Sequence, residues 1–200
     1  MNQLPAFAEE LARCIQHLHA HGHSPATSTN YSFIDENGLC WVSRSGIDKS
    51  TCVASDFILI NRSGQTLPPY EHVTPSAETG IHCALYELFP TTKVILHSHD
   101  VYPVLAAHGK TSLKFEGFEL QKGFPGVTSH QGIVEIPVIP NSQDMSAIRK
   151  TLNERVKELS FNVFMIEKHG FYAWGSSLAE AKRVLESFSY LCKATYLLTK

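Results

Sequence analysis

Lys93-Val94-Ile95-Leu96-His97-Ser98-His99-Asp100 is the stretch on which the reading of this 200-residue chain turns. Val94, Ile95 and Leu96 make a short apolar strand that runs straight into a His-x-His. Side chains at i and i+2 of a strand point to the same face, so both imidazoles project together. Imidazole nitrogen suits zinc, and two histidines on one rigid strand lose little freedom when an ion binds them both. The same pair also reads as two hydrogen-bonded, inert histidines at a strand end. His-x-His alone leaves the metal open.

Downstream, Glu167-Lys168-His169-Gly170-Phe171-Tyr172-Ala173-Trp174-Gly175 follows a second apolar strand, Val163–Ile166. His169 therefore also falls where a strand gives way to a turn, and Gly170 lets the backbone bend there. A third imidazole would complete a site with three protein ligands and room for substrate, the arrangement of catalytic zinc. Upstream, Pro75-Ser76-Ala77-Glu78 stands at an expected helix start, where amides and the macrodipole favour an anion. Ser76 is a candidate donor to that anion, and Glu78 a candidate base or metal ligand. The hydroxyl-rich loop Thr27-Ser28-Thr29-Asn30 and the turn Ser43-Arg44-Ser45-Gly46 offer further short donors able to cradle phosphate. Glu119, among Phe118, Leu120 and Gln121 before Lys122-Gly123, is an acid beside apolar residues and a candidate general acid or base.

Around these segments the elements interleave. Phe7, Leu11, Ile15 and Leu18 predict a first helix ending at His21-Gly22. Tyr31–Ile34 and Leu39–Val42 read as a hairpin turning at Asp35-Glu36-Asn37-Gly38, and residues 56–60 as a third strand. A helix is expected from Thr74-Pro75 to near Pro90. Strands over 132–139 and 162–166 flank a helix carrying Ile148, Leu152, Val156 and Leu159. The last helix opens with a capping box, Ser177-Leu178-Ala179-Glu180. The early hairpin needs antiparallel pairing, so the pattern predicts an α/β fold with a mixed or mainly antiparallel sheet covered by helices on both faces. No repeat or linker divides it, and one domain over residues 1–200 is expected.

Composition narrows the function classes. A net charge of −2, without runs of like charge, gives no reason to expect nucleic acid or an anionic membrane as partner. No stretch approaches a membrane span and the N-terminus lacks a signal-peptide core. Five scattered cysteines, never spaced Cys-x-x-Cys, argue against a disulfide framework and for a reducing compartment, the cytoplasm by default. Eleven histidines is the unusual count.

Taken in order, Ser28-Thr29-Asn30, Ser45-Gly46, Ser76-Ala77-Glu78, His97-Ser98-His99 and His169-Gly170 resemble the motifs of the class II aldolase and adducin-like family. The likeness runs from Gly22 to about Leu198. It implies a three-layer fold with a central, mainly antiparallel sheet, assembled as a homotetramer with sites near subunit contacts. It also implies one zinc ion per subunit on His97, His99 and His169, and a phosphorylated keto-sugar as substrate. Ser28, Thr29, Asn30, Ser45, Gly46 and Ser76 would hold the phosphate, with Lys122 a further candidate. Within the family, Ser43 to Lys49, Phe118 to Gly123 and His169 to Gly175 resemble the branch that removes water from a methylthio ketopentose phosphate. In that branch the glutamate three residues before Lys-Gly is the acid/base, here Glu119. Carbon–carbon cleavage, with Glu78 as the main acid/base, is the alternative. Ser98 and Asp100 depart from the Thr and Ser often found beside the family's His-x-His.

Overall fold

The computed structural model describes residues 4–199; the expected domain's outermost residues, 1–3 and 200, lie outside them. Eight strands form one sheet: β1 (Tyr31–Ile34), β2 (Cys40–Ser43), β3 (Phe57–Ile60), β4 (Val94–Ser98), β5 (Ser112–Phe115), β6 (Val134–Ile139), β7 (Val163–Ile166) and β8 (Gly170–Gly175). Their order is β3-β2-β1-β4-β8-β7-β6-β5, and every neighbouring pair is antiparallel except β6 with β7. That single parallel pair needs a crossover, and the intervening helix supplies it.

The alternation of side chains divides the core into two layers. On one face Val94 and Leu96 of β4, Val163 and Met165 of β7, and Phe171 and Ala173 of β8 join α1 (Ala6–Ala20) and α5 (Leu178–Leu198). On the other face Ile95, Phe164, Ile166, Tyr172 and Trp174 pack with α2 (Thr79–Leu88) and α4 (Met145–Glu154). The predicted three-layer α/β arrangement is thus present. His97 follows Ile95 by two residues, so it belongs to the α2/α4 face.

Several boundaries differ from the sequence reading. The second helix starts at Thr79, not at Thr74-Pro75; Pro75 instead forms an isolated β-bridge with Arg44, which draws residues 44–46 against 74–76. The amphipathic stripe from Ile148 to Leu159 breaks after α4, and its last part, Val156–Leu159, is a separate 3₁₀ turn. A short helix α3 (Val101–Ala107), capped by Asp100, and the edge strand β5 carried no readable period. The aromatic run after His169, for which no strand was expected, is the central strand β8. At the start of α5 the Ser177 hydroxyl accepts from the Glu180 amide, but the Glu180 carboxylate reaches back to Ser176, so the box closes one residue early.

Phe188 of α5 is fully buried between Phe171 and Phe115, with ring centroids 4.8 and 6.1 Å away. Phe188→Ala is expected to cost about 3–5 kcal/mol, read as a lower urea midpoint of the metal-free protein with unchanged m-value.

Candidate metal centre

The carboxyl ends of β4 and β7 and the amino end of β8 meet at one end of the sheet. His97 is the penultimate residue of β4 and pairs across the ladder with Tyr172, whose ring stacks on it at 4.1 Å and 10°. His99 lies just beyond the strand, its amide donating to the His23 carbonyl at 2.9 Å. His169 stands in the tight turn from β7 to β8, where Lys168 takes a positive φ of 55°. The turn folds His169 back over β4, and the one ligand atom offered by each of His97, His99 and His169 lies within 4.8 Å of the others.

Gly170 makes this approach possible. A Cβ there would stand 2.3 Å from the Ser98 carbonyl oxygen and 2.7 Å from His99 Cδ2. Backbone lies against backbone, so no side chain fits.

The three rings suit a metal. His97 Nδ1–H donates to the Phe171 carbonyl at 2.9 Å, which fixes the tautomer and leaves Nε2 facing the site. His97 Nε2 and His99 Nε2 are 2.8 Å apart, and His169 Nδ1 faces Asn141 Oδ1 at 3.3 Å. Burial holds His97 well below its ordinary pKa, against the pull of Glu78. Burial, with the nearby charges of His169 and Lys49, pushes His99 down to about 4. Neutral imidazoles are what a cation needs, and tetrahedral zinc at about 2.1 Å from each nitrogen asks for nitrogens about 3.4 Å apart, within reach of small rotations.

Glu78 closes the site. Its Oε1 lies 2.8 Å from His169 Nε2, while Oε2 lies 3.4 Å from His97 Nε2 and accepts from the Tyr172 hydroxyl at 2.8 Å and the Asn30 amide at 2.7 Å. Burial opposes its charge, but the hydrogen bond with His169, the His97 and His169 charges and the Asn30 amide hold it far below the usual carboxylate range. Asn30 is itself oriented from behind. Fully buried His82 donates Nε2–H to Asn30 Oδ1, and its Nδ1 accepts from Ser32 at 2.7 Å.

Of the other expected site residues, Asn30, Ser45, Gly46 and Ser76 gather at this end. Ser76 Oγ accepts from Asn30 Nδ2 at 3.1 Å and from the Glu78 amide at 3.3 Å, and the Ser45 amide donates to the Thr74 carbonyl at 3.3 Å. Ser28 and Thr29 precede Asn30 in the same loop; Ser28 Oγ donates to the Pro25 carbonyl at 2.5 Å. Thr29 holds φ at 74°, a conformation that costs a β-branched residue about 1–3 kcal/mol.

Glu119 and Lys122 are elsewhere. On an exposed 3₁₀ turn, Glu119–Gly123, packed against α5, Glu119 pairs with Lys122 and with His130. This turn follows Phe115, which pairs with Val134 at the opposite end of β6 from Ile139. At about 3.4 Å per residue, roughly 17 Å of strand separates the two ends. Within one chain Glu119 is not brought to the histidines. Sequence reasoning also passed over Asn141 and His82. Tyr172 stood in the late motif, but its place beside the first histidine depends on the β4–β8 register, which alternation along one strand does not reveal.

Residues 9–196 match the family model described as the class II aldolase and adducin N-terminal domain. The chain belongs to this family. Class II aldolase-family relatives include the methylthioribulose-1-phosphate dehydratase of Picosynechococcus sp., 45% identical over 92% of this chain and 88% of its own. The enzyme of that name from Enterobacter sp. is 37% identical over 86% and 85%. Among solved structures, the L-fuculose-1-phosphate aldolase from Thermus thermophilus superposes with a TM-score of 0.75 at 19% identity, covering 95% of this chain and 94% of that one. A sugar-phosphate aldolase from Thermotoga maritima gives 0.66 at 16%, covering 95% and 93%. At such identities these structures establish the class II aldolase fold and nothing finer. No helix among the described residues is long and apolar enough to cross a membrane.

Two outcomes follow from the geometry. Gly170→Ala is expected to weaken metal binding at least 10-fold in a chelator competition, because the turn carrying His169 must lift from β4. Acid should destabilise the metal-free protein. His82 and His99 fall from 6.5 unfolded to about 4 folded, so the unfolded chain takes up protons first. Their stabilisation is complete above pH 6.5 and is lost as pH falls toward 4, at up to about 1.4 kcal/mol per pH unit for each group. Urea titrations at pH 7.5 and 5.0 measure it.

Proposed function

We propose that this chain is a zinc-dependent dehydratase that converts 5-methylthioribulose 1-phosphate to 5-methylthio-2,3-dioxopentyl phosphate and water, a step of methionine salvage in the cytoplasm. The observation that carries the reading is three imidazoles converging beside an ionised, mostly buried glutamate. The higher identity to relatives named as dehydratases favours water loss over the alternative, carbon–carbon cleavage as in the fuculose- and rhamnulose-phosphate aldolases.

His97, His99 and His169 would hold the zinc, which supplies Lewis acidity toward a carbonyl and its neighbouring hydroxyl. Glu78, ionised and fixed by Asn30 and Tyr172, is placed to hold a proton at Oε1 or Oε2 beside those ligands. The loop 28–30, the Ser45-Gly46 turn and Ser76 would bind the phosphate and fix the sugar's orientation. Glu119 stands far from its own histidines, so its acid/base role is read as one exerted in the site of a second copy. A homotetramer is the assembly that would supply that contact.

Removal of zinc with a chelator should abolish diketone formation from the methylthio sugar phosphate, and added zinc should restore it. Dihydroxyacetone phosphate as the product would instead mark the chain as an aldolase. Glu119→Gln is expected to keep zinc and lose activity on the order of 100-fold, and His99→Ala to lose the metal. If Glu119 serves a neighbouring site, unfolding and refolding these two inactive variants together should regain measurable turnover; a mixture that stays inactive removes the cross-subunit role.

A further inference from the structure

Lys49 is the only buried lysine or arginine among the described residues, 1% exposed. Its ammonium donates to two backbone carbonyls, Thr27 at 3.2 Å and Ile47 at 3.1 Å. Neither neighbouring acid pairs with it. The Asp48 carboxylate is turned to the amide and hydroxyl of Ser50, and Asp56 is taken by Arg44 and the Val53 amide. Burying an ammonium without a counter-charge is costly, and burial lowers its pKa from 10.5. Proteins keep such a charge where an anion completes it.

The two carbonyls identify where that anion belongs. Thr27 begins the hydroxyl-rich loop, and Ile47 follows Ser45-Gly46. One buried cation thus bolts together the two loops proposed to hold phosphate, and turns inward two carbonyl oxygens that would repel an anion.

We propose that Lys49 is the positioning cation that neutralises the substrate's phosphoryl group from behind these loops, without touching it. The proposal rests on the sugar-phosphate reading of the site. It also accounts for a recognition loop that holds Thr29 at positive φ, because the tether at Thr27 fixes the chain two residues earlier.

The test uses the zinc-loaded protein with inorganic phosphate as probe, by calorimetry, alongside turnover. Lys49→Gln keeps donors for both carbonyls but removes the charge. It is expected to weaken phosphate binding and raise KM for the sugar phosphate 10-fold or more, with zinc content kept and kcat within a few-fold. Lys49→Arg should stay within about 3-fold of the parent. Should Lys49→Gln fail to fold, Lys49→Met decides, an uncharged and flexible side chain of nearly the same length in the same buried place. Phosphate affinity unchanged in the folded variants overturns the proposal. Phosphate binding that depends on Lys49 in a protein that fails to dehydrate the methylthio sugar sinks the dehydratase reading alone. A parent protein that binds no phosphate overturns the proposal, whatever its turnover.

Discussion

The close approach of β8 to the end of β4 is the contact from which the site is built. At Gly170 the two backbones lie nearer than any Cβ would permit, so the ladder can carry His97 and Tyr172 as a stacked cross-strand pair and still fold His169 over them. Everything catalytic is referred to that register. A slip of one residue would send His97 into the α1/α5 layer and leave the turn with nothing to face.

Behind the histidines, polar groups are arranged in depth rather than scattered. His82 sets the Asn30 amide, Asn30 and Tyr172 set Glu78, and Glu78 meets His97 and His169. In a low-dielectric interior such a chain admits one orientation for each member, because any flip leaves a buried donor or acceptor unpaired. The carboxylate is therefore held in place before any ligand arrives. Reorganisation during the reaction is correspondingly small.

How much of this was legible in the sequence follows from which forces are local. Strand alternation and helical period are local, and they exposed the hairpin, the strand ending in His97 and most of the helices. Where tertiary context overrode the pattern, the reading failed. Pro75, a good first-turn residue, was drawn into a bridge with Arg44, and the aromatic run after Gly170 proved to be a central strand buried on both faces. Each of the three histidines sat at a strand end, but it was the resemblance of the five motifs in order that grouped them. Glu119 could not be placed, since its relation to the metal depends on which end of β5 it leaves. Lys49 gave no signal; nothing in a sequence reveals that a lysine is enclosed without a carboxylate.

The candidate ligands come from segments that are distant along the chain, His97 near the end of one strand, His99 just beyond it, and His169 on the turn of a hairpin that is completed late in the chain. An ion held by all three ties that hairpin to the centre of the sheet in the folded state alone. The concentration of such an ion would then act on folding as well as on catalysis: at one hundred times the dissociation constant, mass action would add about 2.7 kcal/mol to the native state. A cell short of the metal would hold not an idle but otherwise sound enzyme, but one whose hairpin opens more often to proteases, so that abundance falls together with activity.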